Sequence, residues 1–161
     1  MLIQIVVIFA MVMLGIGIGA LLSVEHAQIA AKIAQAGAPP YALWLIIGAM
    51  LLIMVLLAMA WRFFQELTGI VKSVGDGDPF HAGNAERLTR MGWISIGAHG
   101  LALILAGISS WFAPYLEKVG HDSHFGFEVE PTGILLTLIL FILARVFKRG
   151  AEMREELEGT V

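Results

Sequence analysis

Nearly every ionisable side chain of this sequence lies outside its long apolar runs, and His99 is the exception. An imidazole within a membrane span could relay a proton, ligate a metal or bind a solute. It could equally stay neutral and hydrogen-bond across helices, and the flanking Gly97 and Gly100 would let another helix approach, which favours the structural role. Haem ligation would need a second histidine at matching depth, whereas His26 falls near the opposite membrane edge. A second polar set is His121, Asp122, His124, Glu128 and Glu130. Two histidines and a carboxylate suit a borderline metal, but His121 and His124 share a face only on a helix, which the intervening residues do not specify. Solvated loop polarity accounts for this cluster. HExxH is absent and no carboxylate pair lies within a span, so no metal, cofactor or catalytic residue is assigned and the chain is read as non-enzymatic. Cysteine is absent, which excludes disulfide and thiolate chemistry.

The third set is the most distinctive. Gly75-Asp76-Gly77-Asp78-Pro79-Phe80 reads as a turn, because Gly and Asp tolerate unusual dihedrals and Pro79 forces extension before it. A calcium loop would need many more oxygens than Asp76 and Asp78 supply. Asn84 or Gly83 is the expected N-cap of the following helix, and Arg87 and Arg90 suit anionic lipid headgroups. Pro79 and Phe80 form a rigid element that could wedge against the bundle or dock the C-terminal tail. With His99 and Arg145, the residues Asp78, Pro79, Phe80, Asn84, Arg87 and Arg90 are the candidate functional or interaction positions. The glycines follow no phosphate-binding pattern, and sparse, acid-balanced basic groups exclude a nucleic-acid surface.

The elements that must position these residues are membrane helices. Of 161 residues, 58% are hydrophobic and 14% charged, too apolar for an ordinary soluble domain. Charge-free stretches predict spans over about residues 2–24, 41–64, 91–113 and 131–148, the last only if Arg145 and Lys148 snorkel toward headgroups. Lys32 and Lys118 are the only basic residues of the first and third linkers. Arg62, Lys72, Arg87 and Arg90 crowd the second, and Arg145, Lys148, Arg149 and Arg154 the tail. Basic residues stay inside, so both termini are expected in the cytoplasm. The first run lacks a basic n-region and a small-residue cleavage site, so it is read as a retained helix. That helix is expected to continue to Gly37, with Pro40 opening the next; Gly15 and Gly19 offer a close-approach pair, and Ala98, Ala102 and Ala106 a contact stripe. Helix two should run on through Val71, and span three should end at Pro114. The fold class is all-α: an integral membrane four-helix bundle, residues 1–161 as one domain, with an interfacial linker helix and a cytoplasmic helical tail.

The run Gly77-Asp78-Pro79-Phe80, then Asn84-Ala85-Glu86-Arg87-Leu88-Thr89-Arg90-Met91-Gly92-Trp93, resembles the signature of a bacterial membrane family catalogued as domain of unknown function 2975. Its members show a GDPF segment, an asparagine and an LRRIGW-like entry into the third of four spans. The tail from Ala144 to Val161 is similar to the family's ending, with Arg145 where an acidic residue often stands and Gly159 inserted before the close. The resemblance covers essentially the whole chain and implies fold and location, the bacterial inner membrane, rather than activity. The family's genes often neighbour small helix-turn-helix regulators, an association that hints at regulation.

The expected function is therefore a regulatory or complex-forming membrane component that binds a cytoplasmic or membrane protein through linker and tail, with lipids around it and a homo-oligomer as a further option. The alternatives are an oligomeric small-solute or ion transporter using His99 and a metal-dependent membrane enzyme using the outer histidine loop.

Overall fold

A computed structural model describes residues 2–23, 26–117 and 132–158. The outer-loop residues His121, Asp122, His124, Glu128 and Glu130, together with Glu25 and Gly159, lie outside them. The helices are α1 (Leu2–Ser23), α2 (His26–Gln35), α3 (Ala42–Gly75), α4 (Ala82–Glu117) and α5 (Thr132–Glu158). Uninterrupted apolar sequence favours helix because each backbone group is then satisfied within its own segment, as a bilayer demands. Ile3–Ser23, Ala42–Gly75 and Ala82–Tyr115 are each long and apolar enough to cross a membrane. Among the described residues α5 does not join them. Its charge-free part runs only from Thr132 to Ala144 before Arg145, Lys148 and Arg149. The expectation of four crossings is thus met by three helices on length and composition.

Two helices stop at glycines for the same reason. Gly37 (φ 74°) and Gly77 (φ 83°) take left-handed backbone that a side chain would strain. At the first, the Gly37 and Ala38 amides donate back to the carbonyls of Ala34 and Ile33; at the second, Gly77 and Asp78 donate to Val74 and Ser73. These paired bonds are Schellman motifs that satisfy the last carbonyls of α2 and α3. Several expected boundaries move. Pro40 does not open α3, which starts at Ala42 after a turn in which the Ala42 amide reaches the Pro39 carbonyl. The same helix runs past Val71 to Gly75. The linker residues from Ala82 are the first turns of α4 itself, which also carries Pro114 inside it. Proline there costs the Ser110 carbonyl its ladder partner without stopping the helix.

Contacts divide the chain into two units. The first comprises Met1–Ala58 and Gly100–Val129. Within it, a Cβ placed on Gly15 would stand 3.8 Å from the Met54 methyl, and one on Gly17 3.3 Å from that of Met50. The close-approach pair is therefore Gly15 with Gly17, each receiving a methionine end, because nothing lies within 4 Å of Gly19. Tyr41 and Trp111 pack at 5.8 Å between ring centroids, with Tyr115 5.2 Å from Trp111.

The second unit comprises Met59–His99 and Glu130–Val161 and holds the candidate residues. Leu88, Met91, Leu140 and Ala144 form its buried core, with Phe63, Ile70 and Phe147 packed against it. Here α4 and α5 run antiparallel: Gly92 lies under the Phe141 ring, Ser95 meets Thr137, and His99 meets Gly133. The contact face of α4 is thus Leu88, Met91, Gly92, Ser95 and His99. Glycine and serine there let the α5 side chains come close, and Ala98, Ala102 and Ala106 of the expected stripe are half-buried.

Candidate functional site

The turn between α3 and α4 is built around Asn84, whose side chain is fully buried at 0% exposure. Expected as an N-cap, it is instead inside the first turn of α4. The capping place belongs to His81, whose Nδ1 accepts the Gly83 amide at 3.1 Å. Asn84 is thereby free to fold its amide back over the turn. Its Nδ2 donates to the Ser73 hydroxyl and, at 3.0 Å, to the Pro79 carbonyl, while its Oδ1 accepts from Arg87 at 3.3 Å. One side chain thus ties the end of α3, the Asp78-Pro79-Phe80 corner and α4 together.

A carboxylate missed in the sequence organises the arginines. Glu66 is 6% exposed and lies 3.4 Å from Arg62, 3.3 Å from Arg90 and 4.0 Å from Arg87. Arg90 also reaches Glu86 at 3.0 Å. Arg87 lies against Gly69, where an added Cβ would come within 2.7 Å of its guanidinium carbon. The two arginines expected to reach lipid phosphates are therefore first engaged by the protein itself. A buried carboxylate is costly unless paired, and these guanidinium groups supply the pairing. The available signal was that Glu66 is the only acidic residue within α3.

The same turn rests on α5. Phe80 packs on Phe147 at 5.6 Å and over Gly150, where a Cβ would fall 2.5 Å from the ring. Asp78 pairs with Arg154. Phe147, Gly150 and Arg154 recur at helical spacing, so one face of α5 receives the turn. Arg145 points elsewhere, lining a groove of about 680 Å³ with Glu86, Arg90, Lys148, Glu152 and Glu155.

His99 does not join this assembly. Its Nδ1 lies 2.7 Å from the Ser95 carbonyl, which can only accept, so Nδ1 carries the proton. The ring then turns Nε2 onto Gly133, at the place a Cβ would occupy. Below it, the Ser95 and Thr137 hydroxyls meet at 2.7 Å, and Thr137 donates to the Gly133 carbonyl at 2.9 Å. Among the described residues no group of histidines and carboxylates could hold a metal ion.

Residues 21–161 match the family model described as "Protein of unknown function (DUF2975)". No curated protein and no solved structure matches the chain.

Proposed function

The chain belongs to the DUF2975 family of bacterial multi-pass membrane proteins, and from that premise we propose that it is a non-enzymatic regulatory or complex-forming component. It binds a protein partner through a cytoplasmic surface made jointly by linker and tail. The observation that carries this reading is the docking of Asp78 and Phe80 on Arg154, Phe147 and Gly150. It makes one continuous surface of segments far apart in sequence. Beside it, Met153 and Leu157 stand one helical turn apart on the otherwise charged tail and are 58% and 72% exposed. Such exposed apolar side chains beyond a membrane edge suit a partner's apolar contact.

The proposal includes a fourth crossing by α5 with both termini in the cytoplasm. Support comes from its band of exposed Ile134, Leu135, Leu138, Ile142 and Val146, which water would not favour, and from the basic residues that follow. The test is recovery of co-purifying protein after gentle release from the membrane. Met153→Glu with Leu157→Glu should abolish recovery while leaving insertion intact, and unchanged recovery would remove the tail from the interface. His99→Ala should leave recovery unchanged; loss of solute flux in that variant would favour the transporter reading.

A further inference from the structure

The groove between the start of α4 and the second half of α5 has an ordered charge pattern. Along α5 its lining reads Arg145, Lys148, Glu152, Glu155, all exposed and on one helical face. None of these four has an ion-pair partner among the described residues. Lys148 and Glu152 stand at a spacing that often pairs, yet they are not paired here. The opposite wall adds no unspent charge, since Glu86 is held by Arg90, and Arg90 also by Glu66. The unspent groups are thus two cations followed by two carboxylates. The cations stand at the end of the exposed apolar band, and Phe141 and Ala144 close the groove on that side.

We infer that this groove binds the phosphoethanolamine headgroup of a membrane lipid, its phosphate on Arg145 and Lys148 and its ammonium on Glu152 and Glu155. The inference rests on α5 crossing the membrane, which sets the basic pair at the depth of lipid phosphates. A zwitterion with its anion next to the hydrocarbon and its cation further out meets the four groups in order. Arg145 offers a planar fork and Lys148 a point charge to the phosphate oxygens, which accept. The ammonium has hydrogens to donate to both carboxylates. Lys148 and Glu152 are separated by about 6 Å of helix rise, a distance their side chains and a short ethylene arm can span. An anionic phosphoglycerol headgroup brings hydroxyls to the two carboxylates but no cation to balance their charge. A trimethylated choline has no N–H to give them.

The experiment is native mass spectrometry of the full chain titrated with phosphatidylethanolamine, phosphatidylglycerol or phosphatidylcholine. Bound phosphatidylethanolamine should exceed each of the others by about tenfold in affinity. Arg145→Gln with Lys148→Gln should lower that affinity about tenfold, and so should Glu152→Gln with Glu155→Gln. The second pair should leave phosphatidylglycerol binding unchanged or stronger. Equal binding of the three lipids, or an unaffected phosphatidylethanolamine affinity in the glutamate variant, would overturn the inference. So would displacement of the lipid by an equal concentration of soluble phosphoethanolamine. Single cysteines at Met153 and Ser123 separate the underlying reading: labelling from opposite sides with no lipid preference sinks the headgroup site alone, and labelling from one side sinks the fourth crossing with it.

Discussion

Replacing Asn84 should open the turn without unfolding the helices. In Asn84→Ala the Pro79 carbonyl loses its donor beneath a fully buried position. Ser73 still donates to the Ile70 carbonyl at 2.9 Å, and Arg87 still has Glu66 at 4.0 Å. The main cost is therefore one orphaned carbonyl, about 1–3 kcal/mol, with a smaller loss from vacated packing. A cost of about 2 kcal/mol raises the population of the open turn about 30-fold. Hydrogen exchange at the Asp78 amide, which bonds to the Ser73 carbonyl, should accelerate by that factor. Exchange within the core of α4 around Met91 should not change. Asn84→Asp separates chemistry from bulk: it preserves size and attracts Arg87 but cannot donate to Pro79, so it should accelerate exchange to a comparable degree. Wild-type exchange at Asp78 in both variants would refute the claim that the amide closes the turn.

Three further substitutions probe the surrounding contacts. Gly133→Ala puts a methyl where the His99 ring lies and should destabilise the protein by about 1–3 kcal/mol in a detergent unfolding titration. Adding His99→Ala should recover much of that loss. Phe80→Ala removes the ring pair with Phe147, worth about 0.5–1.5 kcal/mol beyond its burial, and should hasten tryptic cleavage after Arg149 and Arg154. Glu66→Gln leaves Arg62, Arg87 and Arg90 near one another without their shared carboxylate. It should cost about 1–3 kcal/mol by the same unfolding titration, with added salt recovering part of the loss by screening the arginines.

The helices were legible where chemistry is local. Charge-free runs announce the long apolar helices, and Gly37 and Gly77 announce the stops of α2 and α3 because left-handed backbone is cheap only for glycine. Roles set by distant partners were harder to read. Asn84 stands where a cap is usual, yet the imidazole of His81 reaches Gly83 first and frees the amide for the turn. Glu66 looks like an ordinary residue at a helix exit until α4 returns Arg87 and Arg90 to it. The pairing of His99 with Gly133 depends on the register between α4 and α5, which neither helix specifies alone. Pro114 reads as a stop, but a helix already committed by its preceding residues can forgo one backbone bond.

Two buried polar side chains, Asn84 and Glu66, hold the turn between α3 and α4 together. Asn84 fixes the corner, Glu66 gathers the arginines, and Asp78 and Phe80 seat the corner on α5. The central claim, that this joint surface binds a protein, is tested most directly by the native mass spectrum of the chain released gently from its own membranes. A discrete added protein mass is expected, and it should disappear in Met153→Glu with Leu157→Glu. Bare monomer or homo-oligomer, under conditions that preserve weak membrane complexes, would contradict it.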